Sequence, residues 1–233
     1  MDAIPTLLIP GLAASARLYG HQIPALWRLG PVTVASHTRA DTISALAADI
    51  LAYAPPRFAL IGLSMGGYIA FEIVRRAPER VQKLVLLDTS ARPDTPEQSE
   101  RRRLTIGMAE AGDLHGVAAA MYPGLVHPSR EDDAALKAAV EQMLFETGAQ
   151  PFIRQQRAIM GRPDSRPGLA AIRCPTLMLV GDGDRLTPPA LAEEIVRGIA
   201  GARLATVPGS GHLSALERPE FVTQTLTEWL QRD

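Results

Sequence analysis

Residues 58–74 constrain the fold more than any other stretch of this chain. The apolar run Phe58-Ala59-Leu60-Ile61 has the continuity of a strand buried on both faces. It passes through Gly62-Leu63-Ser64-Met65-Gly66 into Gly67-Tyr68-Ile69-Ala70-Phe71-Glu72-Ile73-Val74, whose apolar spacing is helical. A strand joined to a helix by so few residues needs a sharp turn. Glycines two before and two after Ser64 let the two elements approach closely. The serine at the apex then points outward.

The rest of the chain repeats this alternation. Strand-like runs fall at 6–9, 32–35, 58–63, 83–87, 176–180 and 204–207, with helical patterns at 43–53, 65–76, 189–199 and 219–231. Several strands are apolar throughout, as in parallel sheets covered on both sides. The expected fold is therefore α/β: a mostly parallel twisted sheet of about six strands with helices on both faces. The alternation stops between about 92 and 175. Helices are expected there near 97–111, 113–121, 131–146 and 151–160, broken by Pro123-Gly124, Pro128, Gly148 and Arg162-Pro163. The domain reading is a core of 1–91 and 175–233 with a helical cap inserted at 92–174. Met108, Met121, Tyr122, Leu125, Met143, Leu144, Phe145, Phe152, Ile159 and Met160 supply the cap's apolar surface. Most are expected to join cap helices together and a few to line a pocket.

Composition excludes several function classes. The 233 residues suit one large domain or one domain with an insertion, and 46% of them are hydrophobic. A net charge of −1 argues against general affinity for nucleic acid or an anionic membrane. Arg101-Arg102-Arg103 follows Glu97 and Glu100 and reads as a solvated helix face. Cys174 is the only cysteine, so no intramolecular disulfide forms, and it reads as a small core residue. Met1-Asp2-Ala3-Ile4-Pro5 has no basic n-region and no cleavable apolar stretch, and the expected location is cytoplasmic. No metal-ligand motif and no phosphate-binding glycine loop is present, so no cofactor is expected. The expected partner is a small molecule, with the chain acting as a monomer or homodimer.

A serine on a strand-to-helix turn is the arrangement of a nucleophile elbow. Such a serine needs a base within hydrogen-bond reach, and the base needs a third group to fix its tautomer. Open α/β sheets place ligand sites beyond the carboxyl ends of their strands. His212 lies in Val207-Pro208-Gly209-Ser210-Gly211-His212, directly after the last strand, whereas His21, His37, His115 and His127 have no such position. The carboxylate falls in Gly181-Asp182-Gly183-Asp184-Arg185 after another strand: Asp184 is the first choice and Asp182 the second, with Asp88 at the end of Leu84-Val85-Leu86-Leu87 a third. An acyl-transfer site also needs donors for the developing oxyanion. The backbone N–H of Met65 follows the nucleophile, and that of Leu12 lies in the Pro10-Gly11-Leu12 loop after the first strand.

These motifs resemble the α/β-hydrolase superfamily, and within it the small cap-bearing carboxylesterases and the 3-oxoadipate enol-lactonase group. The resemblance rests on Leu8-Ile9-Pro10-Gly11, Gly62-Leu63-Ser64-Met65-Gly66-Gly67, Ala77-Pro78-Glu79-Arg80-Val81, Cys174-Pro175-Thr176, Gly181-x-x-Asp184, and Gly211-His212 with Glu217-x-Pro219 behind it. It covers nearly the whole chain. It implies Ser64 as nucleophile, His212 as base, Asp184 as acid, and Leu12 and Met65 as oxyanion donors. The chain departs from the family in having Pro10-Gly11 where His-Gly is usual, and in lacking the two strands that normally precede it. The activity implied is hydrolysis of a small ester or lactone through an acyl-enzyme. Enol-lactone, thioester or carbon–carbon bond hydrolysis, and a hydrolase-like receptor for a small molecule, are the alternatives.

Overall fold

The computed structural model describes residues 4–232, and the reading of residues 1–3 lies outside them. A six-stranded, wholly parallel sheet forms its centre. The strands are β1 (Thr6–Ile9), β2 (Val32–Val34), β3 (Phe58–Leu63), β4 (Val81–Leu87), β5 (Thr176–Gly181) and β6 (Arg203–Val207), in the order β2-β1-β3-β4-β5-β6. The chain moves outward from β1 to β2, then returns past β1 and runs outward to β6. The point of reversal lies between β1 and β3, where a parallel sheet opens a crevice at its carboxyl edge.

The helices are α1 (Ile23–Trp27), α2 (Ile43–Tyr53), α3 (Met65–Arg76), α4 (Pro96–Glu110), α5 (Leu114–Leu125), α6 (Ala134–Thr147), α7 (Ala149–Met160), α8 (Pro189–Gly198), α9 (Ser214–Glu217) and α10 (Pro219–Gln231). Strand residues alternate between the two faces. Leu7, Ile9, Leu60, Leu84, Leu86, Met178 and Val180 pack with α2, α3 and α8. Their neighbours Leu8, Ala59, Ile61, Val85, Leu177 and Leu179 pack with α1 and α10. Both faces of the central strands are covered, which explains runs that are apolar in every position. Burying a Leu or Ile side chain contributes about 1.5–3 kcal/mol. The edge strand β6 has exposed residues at Arg203 and Leu204, as a strand with one open side should.

Helices α4–α7 form the insertion between β4 and β5. They carry a small core of their own, with Ile106, Val117, Leu144, Phe152 and Ile153 at its centre. Of the apolar residues assigned to the cap, Tyr122 and Met143 instead pack with the α1/α10 layer. Ile159 joins the other layer, and Phe145 is exposed. Local chemistry sets the helix starts. Thr95 and Gln98 form a reciprocal capping box at α4. The Asp133 carboxylate accepts from Leu136 N–H and begins α6 three residues later than the pattern predicts. Pro123 does not break α5, which runs on to Leu125: its missing N–H forfeits one bond to the carbonyl four residues earlier, and the last turn stays helical. Pro151 sits in the first turn of α7, which begins at Ala149 directly after Gly148 at φ +81°. The short helices α1 and α9 have no sequence signature long enough to register. Within Arg101-Arg102-Arg103, Arg103 pairs with Glu100 on the exposed face. Arg102 departs from the expected solvated face and turns inward to the Asp94 carboxylate.

Candidate active site

Ser64 occupies the turn between β3 and α3. Its backbone has φ +55° and ψ −113°, a conformation costing a non-glycine residue on the order of 1–3 kcal/mol. Ser64 N–H donates to Leu87 O at 2.9 Å and Thr89 Oγ1 donates to Ser64 O at 2.8 Å, so β4 holds the turn in place. The flanking glycines are required by contact. A Cβ on Gly62 would lie 2.4 Å from Gly66 O, and one on Gly66 would lie 2.1 Å from Ile9 O. Backbone meets backbone where β1, β3 and α3 converge.

His212 stands in the loop after β6. Its Nε2 lies 2.8 Å from Ser64 Oγ and its Nδ1 lies 2.8 Å from Asp184 Oδ2. With Asp184 ionised, Nδ1–H donates to the carboxylate and Nε2 accepts from the serine hydroxyl. Asp184 also accepts from Leu186 N–H, Thr187 N–H and Thr187 Oγ1 at 2.7–2.9 Å. Burial acts against the charge on Asp184, but His212 and the Thr187 donors hold its carboxyl below the usual range. Burial likewise acts against a charged His212, and the Asp184 carboxylate more than offsets it, so the imidazole titrates above its ordinary value.

The two alternative carboxylates serve other partners. Asp182 Oδ1 accepts from Ser210 N–H and steadies the histidine loop. Asp88, fully buried at φ +45°, accepts from Gly181 N–H at 3.0 Å and from Ser214 N–H and Oγ–H. It ties the end of β5 to the segment after His212. Burial first, and the Asp184 charge second, push its pKa up to about 8. Glu217 completes the framework: Oε1 accepts from Gly211 N–H and Oε2 from His127 N–H, each at 2.8 Å. His212 N–H donates to Leu125 O at the end of α5, so cap and histidine loop are joined.

The loop after β1 lies against Ser64: a Cβ on Gly11 would stand 3.5 Å from Ser64 Cβ. The N–H groups of Leu12 and Met65 donate to no other group among the described residues. Two residues that sequence patterns do not single out shape this loop. His37, buried, donates from Nε2 to Gly11 O at 2.9 Å. Burial lowers its pKa, favouring the neutral donor. Gln155 of α7 accepts from Ala13 N–H at 3.0 Å, with Ala13 at φ +55°. Both are contacts between distant segments, and only their burial betrays them. His21 is exposed, and His115 pairs with Glu141 on the cap surface.

A cavity of about 510 Å³ lies between cap and sheet, lined by Ser64 and His212 together with Leu12, Met121, Leu125 and Ile159. A second hollow of about 590 Å³, behind Tyr68 and Arg162, is lined by neither Ser64 nor His212. The first is therefore the candidate site.

A model of the alpha/beta hydrolase family matches residues 6–225. The chain belongs to this family. The hydrolase is similar to a thermophilic esterase from Thermogutta terrifontis, with 31% identity, a TM-score of 0.87, and coverage of 98% of this chain and 89% of that one. It is similar to the enol-lactonase from Burkholderia xenovorans LB400, with 25% identity, a TM-score of 0.89, and coverage of 100% and 93%. A pimeloyl-[acyl-carrier protein] methyl ester esterase of Nitrosomonas europaea is 29% identical over 187 residues, 77% of this hydrolase and 73% of that protein. Among the described residues, no helix is long and apolar enough to cross a membrane.

Proposed function

We propose that this hydrolase cleaves a small carboxylic ester or lactone through an acyl-enzyme on Ser64. The observation that carries the reading is the continuous hydrogen-bond chain from Asp184 through His212 to Ser64, with 2.8 Å at each imidazole nitrogen. Ser64 Oγ attacks the carbonyl as His212 Nε2 takes its proton. The N–H groups of Leu12 and Met65 receive the oxyanion. His212 then protonates the leaving oxygen. A water, giving its proton to His212, attacks the acyl carbon, and the intermediate collapses to the free acid as His212 returns that proton to Ser64 Oγ. Asp184 stays ionised and stabilises the imidazolium. Nucleophile, base and oxyanion donors are all supplied by the chain, so no step calls on a metal or cofactor. Helices α4–α7 act as a separate lid domain (92–174) over the core. The setting is the cytoplasm, and the working form is a monomer or homodimer. The esterase and enol-lactonase among the similar proteins support both ester and lactone substrates. In the test, Ser64→Ala abolishes hydrolysis of a short-chain nitrophenyl ester while leaving the melting temperature near wild type. Undiminished turnover by that variant removes Ser64 from the mechanism.

A further inference from the structure

The cavity above Ser64 is lined by five arginines, Arg92, Arg101, Arg102, Arg162 and Arg185, and by no aspartate or glutamate. Two of these have partners of their own: Arg92 pairs with Glu194 and Arg185 with Glu131. Arg102 and Arg162 share one carboxylate. Asp94 Oδ2 accepts from Arg102 Nε at 2.6 Å, and Oδ1 accepts from Arg162 Nη1 at 2.5 Å. The Asp94 side chain is 1% exposed, that of Arg162 5%, and that of Arg102 20%. Two cations against one anion leave a net single positive charge at a site largely closed to water. An unbalanced buried charge is costly unless something meets it.

Not every donor of this pair is met. Arg162 Nε and Nη1 have acceptors, whereas Nη2 has none among the described residues. Its guanidinium lies 4.2 Å from the centroid of the Tyr68 ring, and Tyr68 follows Ser64 by one turn of α3. Arg102 Nη1 donates to Gln156 Oε1 at 2.8 Å and Nη2 to Asp94 Oδ1 at 3.4 Å, which leaves a second hydrogen on each of these nitrogens for a further acceptor. Arg101, exposed beside it, makes no ion pair among the described residues. Much of the remaining lining is apolar, including Leu18, Met121, Leu125, Leu186 and Leu213.

We propose that the substrate is a monoanion: an ester or lactone whose free carboxylate is held by Arg102 and Arg162 while its scissile carbonyl lies at Ser64. The assignment rests on the serine-hydrolase reading above and names its substrate class. A carboxylate matches the planar guanidinium fork and cancels the single excess charge. A phosphate dianion would overshoot it. Asp94 acts as the positioning residue that aims both arginines.

The experiment compares kcat/KM for methyl esters matched in chain length. One set ends in a free carboxylate (monomethyl esters of dicarboxylic acids), one in a methyl group and one in a phosphate. The carboxylate set is preferred over the methyl set by about ten-fold or more, chiefly through KM, the scale of one charge-assisted interaction. Arg102→Gln reduces that preference by about ten-fold, and the exposed Arg101→Gln, which poses no folding risk, reduces it by about two-fold. Equal or better turnover of the methyl set overturns the inference while leaving Ser64 as nucleophile. A preference for phosphate overturns the charge count. If neither these esters nor the nitrophenyl ester is cleaved, the hydrolase reading fails, and whenever the methyl esters are not cleaved, binding decides the inference separately. Monomethyl glutarate then raises the melting temperature of wild type more than the uncharged dimethyl glutarate does, and Arg102→Gln removes the difference; equal shifts in wild type overturn it.

Discussion

The carboxyl rim of the sheet and the helical cap meet at the same cavity but are built in different ways. At the rim, backbone packs on backbone. Gly62 and Gly66 leave no room for a Cβ, and neither does Gly181, whose Cβ would lie 2.1 Å from Gly211 O. Buried carboxylates then fasten the loops: Asp88 to Gly181 and Ser214, Glu217 to Gly211 and His127. The cap presents side chains from helices that hold a modest core of their own. It touches the rim at a few points, such as Gln155 on Ala13 and Leu125 on His212. The proposed chemistry demands a fixed geometry, and its residues sit where backbone packs on backbone. The proposed substrate contacts lie where a side chain can change without moving Ser64.

Substitutions can break or sharpen this contrast. The largest effect is expected at the rim, where Asp184→Asn removes the acceptor that fixes the His212 tautomer. It should lower kcat by about 10³–10⁴-fold, measured in steady state with the fold checked by circular dichroism. Under the proposed mechanism His212 must be neutral at Nε2, so activity should rise with pH as the imidazole deprotonates. The Asp184 charge places the midpoint of the acid limb of kcat/KM above the ordinary 6.5.

Gly66→Ala comes next. The added methyl meets Ile9 O and cannot be accommodated by rotating a side chain. Overpacking of this kind costs about 1–3 kcal/mol in denaturant melts. Because it displaces the turn carrying Ser64, activity should fall more than stability does.

Asp88 gives a pH signature. Its folded pKa, about 8, stands above the ordinary 3.8. The folded state therefore holds a proton that the unfolded chain has lost, and this contribution is full below 3.8 and gone once pH passes about 8. Melting temperature should decline across that window, by about 2–4 °C for each kcal/mol lost. Asp88→Asn, which cannot ionise, should flatten the decline, as thermal scans at a series of pH values would show. The smallest effect is expected on the cap surface: Leu104 of α4 is 63% exposed, and Leu104→Gln should change stability by less than about 0.5 kcal/mol.

The same contrast explains what could be seen in the chain before its structure. The sheet was legible because strands covered on both faces are apolar at every position, as at Leu84-Val85-Leu86-Leu87. The meeting of Ser64, Asp184 and His212 was legible because each lies just after a strand, at the edge where loops converge. Asp184 already stood ahead of Asp182 and Asp88 in the sequence, and the structure adds what the other two carboxylates hold instead. His37, Gln155 and Glu217 acquire their roles from partners distant in the chain, and no local pattern carries that information. Arg102 differs from Arg103 only in which way α4 turns it. Pro123 does not mark the end of α5 as the pattern predicts, because a proline costs one hydrogen bond to the preceding turn and does not by itself end a helix.

The central claim is that Ser64 becomes covalently acylated. The direct measurement is mass spectrometry of the intact protein and its peptides after reaction with a fluorophosphonate, a reagent captured by activated serine hydroxyls. The account predicts one adduct per chain, on the peptide containing Ser64, and its loss in His212→Ala. Modification at another residue, or ester turnover that survives while Ser64 remains unlabelled, would contradict it.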